Sequence, residues 1–294
     1  MRCLILGATG QIGSHLVTAC DERGLARLGT YYRWRNPDHA PLDLLDAAAV
    51  EDLIGKYRPD VTFLAAGLTG SGYAEAFPDE CRAVVEGGTR AVAEAVAAHG
   101  GRLVSFHSDE LFGESKVACK ELDPAAPQNA FARAHHVAEE CIRGLLPERH
   151  LIIRTSWVFG ADARRRNVAY TVLRKFRRNE PHAADPAAHG HPTYAPDLAD
   201  VAVELARLGE TGTIHLVGPD RQTAYTFAHL VAQINGFDTD LVTTAADPDG
   251  PRPNGVWLDR TRMRQLVGPR AVRPTADGLR GMRAAMRAVP ARAA

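Results

Sequence analysis

The chain has little that would commit it to a charged partner, a membrane or an oxidising compartment. Its 294 residues include 35 basic and 35 acidic ones, a formal net charge of zero. No excess charge therefore favours nucleic acid or an anionic membrane. No apolar run approaches the ~20 residues that a membrane helix needs. Met1 and Arg2 run straight into an apolar stretch without the pattern of a secretory signal, so the expected location is cytoplasmic. The five cysteines, Cys3, Cys20, Cys81, Cys119 and Cys141, are odd in number and scattered, with no CxxC pair. They read as small core residues, not as a disulfide frame. His182, His189 and His191 are too loosely spaced to predict a metal site, and none is expected. Lysine is scarce: only Lys56, Lys116, Lys120 and Lys175 occur.

What is present begins at the N-terminus. Leu4-Ile5-Leu6 leads into Gly7-Ala8-Thr9-Gly10-Gln11-Ile12-Gly13, followed by an amphipathic segment. The order is that of a strand, a phosphate-binding turn and a helix. Gly7 suits the sharp turn, Gly10 lets the backbone approach a pyrophosphate, and Gly13 lets the helix lie against the sheet. Unpaired N–H groups and the helix dipole then attract the anion. This predicts a dinucleotide site contacted by Gly7, Thr9, Gly10, Gln11, Ile12 and Gly13.

Leu28-Gly29-Thr30-Tyr31-Tyr32 reads as the next strand, with Arg33-Trp34-Arg35 where the ribose of a dinucleotide would lie. An acid there would hold the 2′-hydroxyl of NAD, whereas arginines suit the 2′-phosphate of NADP. NADP is the preferred cofactor and NAD the alternative, and Arg33 and Arg35 are either phosphate ligands or exposed loop charges. Asp43 and Leu44 precede a helix over about 47–57 with Asp46 as N-cap. A buried strand ends in Ala65-Ala66-Gly67, small residues that let a cofactor approach. A long helix over about 79–99 follows, then the strand 102–107 running into Ser108-Asp109-Glu110, a helix over about 129–145 and the strand 151–154. Strands alternating with helices predict an α/β fold, a doubly wound parallel sheet of Rossmann type.

Beyond about residue 160 the alternation loosens, which predicts a dinucleotide domain over 1–160 and a smaller C-terminal substrate-binding lobe over 161–294. The segment at about 195–220 is expected to return to the first domain. Asp247 to Asn254 reads as a separating loop. Residues 252–294 hold ten arginines against Asp259 and Asp277. They read as a solvated helix face and an Ala/Arg tail, or as a partner surface.

Several stretches together resemble the extended short-chain dehydrogenase/reductase superfamily, closest to the dTDP-4-dehydrorhamnose reductase family (NAD-dependent epimerase/dehydratase-like). They are Gly7-Ala8-Thr9-Gly10-Gln11-Ile12-Gly13, Ile153-Arg154-Thr155-Ser156-Trp157-Val158-Phe159-Gly160, Asn167, and His191-Pro192-Thr193-Tyr194 with Asp197-Leu198-Ala199. The resemblance covers most of the chain. It implies NAD(P) binding and a nucleotide-sugar substrate gripped near Trp157, Asn167, Thr193 and Tyr194. Homodimerisation is left open.

The family's chemistry uses Ser/Thr with a YxxxK pair, in which tyrosine protonates the carbonyl and lysine lowers its pKa. Here Ser108 takes the first place, but Phe131 and His135 stand where tyrosine and lysine would be. None of the four lysines follows a tyrosine at that spacing, so the motif is lost. Asp109-Glu110 instead resembles the paired carboxyls of nucleotide-sugar 4,6-dehydratases, where mutual repulsion would leave one acid and one base near neutral pH. Glu110 alternatively points outward or binds a substrate hydroxyl. His135 is a substitute acid or polar filler, and His107 and His136 are weaker candidates. Two functions follow: an atypical reductase, epimerase or lyase using Ser108, Asp109, Glu110 and His135, or a catalytically silent NADP-binding regulatory or ligand-binding subunit.

Overall fold

The alternating pattern of the first half produces six strands: β1 Arg2–Leu6, β2 Ala26–Tyr31, β3 His39–Pro41, β4 Val61–Leu64, β5 Arg102–Ser108 and β6 His150–Thr155. The computed structural model describes residues 1–288 apart from 69, 116 and 245–254. The predicted loop Asp247–Asn254 and the end of the Ala/Arg tail lie outside the described residues. Helices α1 Gln11–Glu22, α2 Ala47–Tyr57, α3 Ser71–Ala76, α4 Pro78–Arg82, α5 Gly88–His99 and α6 Ala130–Leu145 connect the strands. The predicted helix over 79–99 exists as α4 and α5 joined through a π-turn at Ala83–Gly87.

The C-terminal half adds short strands β7 Val158–Phe159, β8 His182–Ala184, β9 His189–Gly190 and β10 Thr193–Tyr194, and then the longer β11 Gly212–His215. Helices α7 Val168–Phe176, α8 Ala195–Leu208, α9 Ala224–Asn235, α10 Thr261–Val267 and α11 Thr275–Ala288 complete it. The main sheet has seven strands in the order β11-β6-β5-β4-β1-β2-β3, and every pairing in it is parallel.

The period-2 geometry of β1 shows how the sheet is covered on both faces. Cys3 and Ile5 pack into a core shared with Leu16 of α1 and Leu198, Ala202 and Leu205 of α8. Leu4 and Leu6 face the opposite way, against Val50 and Ile54 of α2, Val92 and Val96 of α5 and Ile142 of α6. β11 lies against β6, so Gly212–His215 and α8 belong to the sheet domain although they follow the first C-terminal strands in sequence. A second core joins Phe159, Tyr170, Leu173, Phe176, Phe227, Val231, Leu279 and Met282. It forms a small helical lobe beside the carboxyl ends of the sheet strands, the side on which open α/β sheets bind ligands.

Candidate active site

The chain leaves β1 through Gly7, whose φ of +84° suits glycine. A Cβ on Gly7 would stand 2.8 Å from Ala66, and one on Gly13 would stand 2.1 Å from the Gly7 carbonyl oxygen. The turn is tied to β2, because the Gly7 and Ala8 N–H groups donate to Thr30 Oγ1 and O at 3.1 and 2.8 Å. Gly10 is the N-cap of α1, and no side chain caps that helix. The turn therefore leaves the helix N-terminus without a side-chain cap, an arrangement that fits a pyrophosphate. Thr9 and Ile12 are half-buried around it, and Gln11 Nε2 donates to the Val158 carbonyl 3.1 Å away, joining the two lobes.

Of the other predicted cofactor residues, Ala65 and Ala66 lie against this turn. Arg33 and Arg35 are exposed in the loop after β2, with Arg33 over the Tyr32 ring. Asp43 uses Oδ1 to accept from the Leu45 N–H, and Leu44 packs beside Gly88. Ala65, Ala66 and Gly67 follow the end of β4, where the Ala65 N–H donates to the Leu6 carbonyl.

At the carboxyl end of β5, Ser108 is half-buried and Asp109 lies behind it with 5% exposure. Ser156 Oγ donates to Asp109 Oδ2 at 2.6 Å, and Ser108 Oγ lies 3.3 Å from Asp109 Oδ1. Burial raises the Asp109 carboxyl to about 7, with the two serine hydrogen bonds opposing the shift and Glu110 adding to it. Desolvation is thus the larger cause, and repulsion between paired carboxyls the smaller. Glu110 turns the other way, accepting from Ser71 Oγ at 2.6 Å and from Asn129 Nδ2 at 2.7 Å. Asn129 also caps α6 by accepting from the Ala132 N–H. Ser71 and Asn129 were not assigned a site role from sequence, whereas Ser156 was visible in the motif after β6. Of the first two, only Asn129, as the cap before a helix, carried a local signal.

Phe131 and His135 lie on α6, their rings 4.4 Å apart. His135 Nδ1 sits 3.0 Å from His107 Nδ1, and His107 Nε2 lies 3.0 Å from Ser105 Oγ. Burial pushes His107 down to about 4, and burial together with His107 pushes His135 down to about 3. Both rings are thus neutral at neutral pH, so His135 brings no fixed charge like a lysine's there. Behind them Glu139, fully buried, accepts from Arg154 Nε and Nη2 at 2.9 and 2.7 Å.

Of the residues expected near substrate, Trp157 is half-buried with φ +42°, its indole packed where a Cβ on Gly190 would fall. Asn167 spends its side chain capping α7 and donating to Gly160 O and Asp162 Oδ2. Thr193 is fully buried and bonded to His191 O and the Gly218 N–H, while Tyr194 is buried in the second core. A cleft of about 330 Å³ opens nearby, lined by His191, Arg221, Trp257, Arg260 and Arg264 among others. The His191 N–H donates to Ser156 Oγ, linking this cleft to Asp109. The C-terminal arginines that read as a solvated face include Arg260 and Arg264 in the cleft. Arg273 is bonded to buried Asp197. Among the described residues, no group of three or more His, Cys, Asp or Glu side chains could hold a metal ion.

A doubly wound parallel sheet, a glycine turn at the first strand and a second lobe over the strand ends define an extended short-chain dehydrogenase/reductase-like protein. The chain belongs to the family described as RmlD substrate binding domain, whose sequence pattern matches residues 1–277. It is similar to a dTDP-4-dehydrorhamnose reductase of Streptomyces griseus, 30% identical over 273 residues, which cover 89% of this chain and 86% of that protein. Its fold is similar to that of the dTDP-4-dehydrorhamnose reductase of Bacillus anthracis str. Ames in complex with NADP. That match has a TM-score of 0.86 and 22% identity and covers 97% of this chain and 98% of the other. The UDP-glucose 4-epimerase of Thermotoga maritima shares the fold with a TM-score of 0.85 and 18% identity, covering 98% and 99% of the two chains.

Proposed function

We propose that the chain is an NADP-dependent reductase of a nucleotide-linked keto-sugar in which Asp109, acting through Ser108, supplies the proton that tyrosine supplies elsewhere in the family. The observation that carries this reading is a buried carboxyl held near pH 7 behind a half-buried serine, at the strand ends beside the glycine cradle. The sheet with about 195–220 would hold the dinucleotide, and the rest of 161–294 would hold the substrate. Gly7, Gly10 and Gly13 would admit the pyrophosphate, and Arg33 and Arg35 the 2′-phosphate. A bound NADPH would supply the hydride.

The protein's own part is to place and protonate the carbonyl. Below pH 7 Asp109 is protonated, and Ser108 Oγ at 3.3 Å accepts from it while donating to the developing alkoxide. Asp109 is left ionised, stabilised by Ser156, and regains its proton from solvent. His107 and His135, both neutral, add no positive charge that would pull the Asp109 carboxyl back down. The arginine-lined cleft, with Trp257 41% exposed, suits the phosphates and base of a nucleotide. The relatives' substrates make a dTDP-linked keto-sugar the first to try.

The test is consumption of NADPH with dTDP-4-dehydrorhamnose by the wild type, Ser108→Ala and Asp109→Asn. The expected result is turnover by the wild type and a loss of about 10²-fold or more in either variant. Tight NADPH binding without turnover on a panel of nucleotide-sugars would replace this reading with the silent binding subunit.

A further inference from the structure

The loop between β7 and α7, Gly160 to Asn167, carries three consecutive arginines across the gap between the lobes. Arg164 Nη2 stands 3.2 Å from where a Cβ on Gly10 would be, so its guanidinium lies over the glycine turn. Arg164 is half-buried, and its side chain makes no hydrogen bond or ion pair among the described residues. Its obvious partner is occupied elsewhere: Asp162 accepts from the Arg164 backbone N–H at 2.8 Å and from Asn167 Nδ2 at 3.1 Å. Two positions on, the Arg166 guanidinium lies 6.0 Å from the centre of the Trp34 ring. Trp34 is half-exposed between Arg33 and Arg35. Arg165, with φ +52°, separates the two.

A half-buried guanidinium with no hydrogen-bond partner, repelled by Arg166 and only partly offset by the Asp162 charge, is costly to hold over a turn that already presents positive backbone groups. An anion at that place resolves the conflict. We propose that Arg164 and Arg166 form a cationic clasp that closes the second lobe over the dinucleotide, Arg164 on the pyrophosphate and Arg166, with Arg33 and Arg35, on the 2′-phosphate of NADP. The proposal rests on the dinucleotide reading of the glycine turn. The clasp adds the charge that the helix N-terminus only partly provides, and an arginine fork pairs with two phosphate oxygens at once. The loop is also continuous with β7, whose Val158 carbonyl is bonded to Gln11 of the turn, so cofactor binding and lobe position are mechanically linked.

The experiment is fluorescence titration of the full chain with NADPH and NADH, for the wild type, Arg164→Gln and Arg166→Gln, with the ligand-free melting temperature of each. Arg164→Gln is expected to weaken both dinucleotides about tenfold or more. Arg166→Gln is expected to weaken NADPH at least fivefold more than NADH. Neither should lower the ligand-free melting temperature, because Arg164 loses only the attraction of the Asp162 charge, which its own desolvation outweighs, and Arg166 only a surface ring. Wild-type binding that Arg164→Gln leaves unchanged, or a loss of affinity that tracks a loss of ligand-free stability, would overturn the clasp alone. A wild type that binds neither dinucleotide would overturn the reductase reading, and the clasp with it.

Discussion

Replacing Glu139 with glutamine tests the electrostatic frame behind the site. Glu139 on α6 and Arg154 on β6 are both buried, joined by two hydrogen bonds at 2.9 and 2.7 Å. Arg143 adds a third at 2.6 Å, and the Arg154 guanidinium also lies over the Phe112 ring. Burial alone would raise the Glu139 carboxyl. The hydrogen bonds from Arg154 and the charges of Arg154 and Arg143, joined by His107 only where it is protonated below about pH 4, outweigh it and bring the group from 4.5 down to about 2. That displacement corresponds to a preference for the charged form of about 3 kcal/mol. Removing one partner of a buried pair typically costs about 3–5 kcal/mol, because the other charge is left uncompensated. Glutamine keeps one acceptor oxygen, so Glu139→Gln should cost about 3 kcal/mol by urea unfolding at pH 7.

The sign with pH is fixed by the direction of the shift. A carboxyl depressed in the folded state stabilises above its unfolded pKa, and the contribution fades as pH falls from 4.5 toward 2. The gap between wild type and variant should therefore shrink by about 1 kcal/mol on going from pH 7 to pH 4. A gap below 1 kcal/mol at pH 7, or one that widens on acidification, would refute the reasoning.

Other expectations follow from single contacts. Gly13→Ala drives a Cβ to within 2.1 Å of the Gly7 carbonyl, so α1 must shift. Thermal unfolding should show a loss of about 1–3 kcal/mol and dinucleotide titration a weakened complex. Ser156→Ala deletes a hydrogen bond that holds Asp109 down. The pH midpoint of turnover should move up by about one unit, as measured by the pH–rate profile. Gly190→Ala places a Cβ 2.4 Å from the Trp157 indole. It should raise KM for the nucleotide-sugar several-fold while leaving NADPH affinity unchanged.

The features readable in the sequence are those that local chemistry sets. The β1–glycine turn–α1 unit, the Asp46 cap on Ala49 N–H and the alternation that makes the parallel sheet all follow from residues a few positions apart. β3 escaped because His39–Pro41 is a three-residue edge strand ending in proline, too short for a periodic signal. The paired strands of the second lobe are likewise only two or three residues long.

At the site, sequence could mark Ser108, Asp109 and Glu110 but not where they point. Glu110 is turned away by Ser71, 39 residues earlier, and Asp109 is held by Ser156, 47 residues later. Most of the described C-terminal arginines are exposed as expected, but the sequence could not show which of them also hold a partner. An arginine that ties down a buried partner 76 residues away, as Arg273 does to Asp197, has the same local pattern as one in water. The absence of any YxxxK string is visible in the sequence, whereas the neutrality of His107 and His135 depends on burial that only the fold supplies.

The central claim is that a buried carboxyl near neutrality, and not a tyrosine–lysine relay, protonates the substrate. Its most direct test is the pH dependence of single-turnover hydride transfer from NADPH to a dTDP-linked keto-sugar, in the wild type and in Asp109→Asn. The wild-type rate should fall above about pH 7, where Asp109 loses its proton, and the variant's rate should be slow and flat with pH. Equal rates with the same pH profile in both proteins would contradict it.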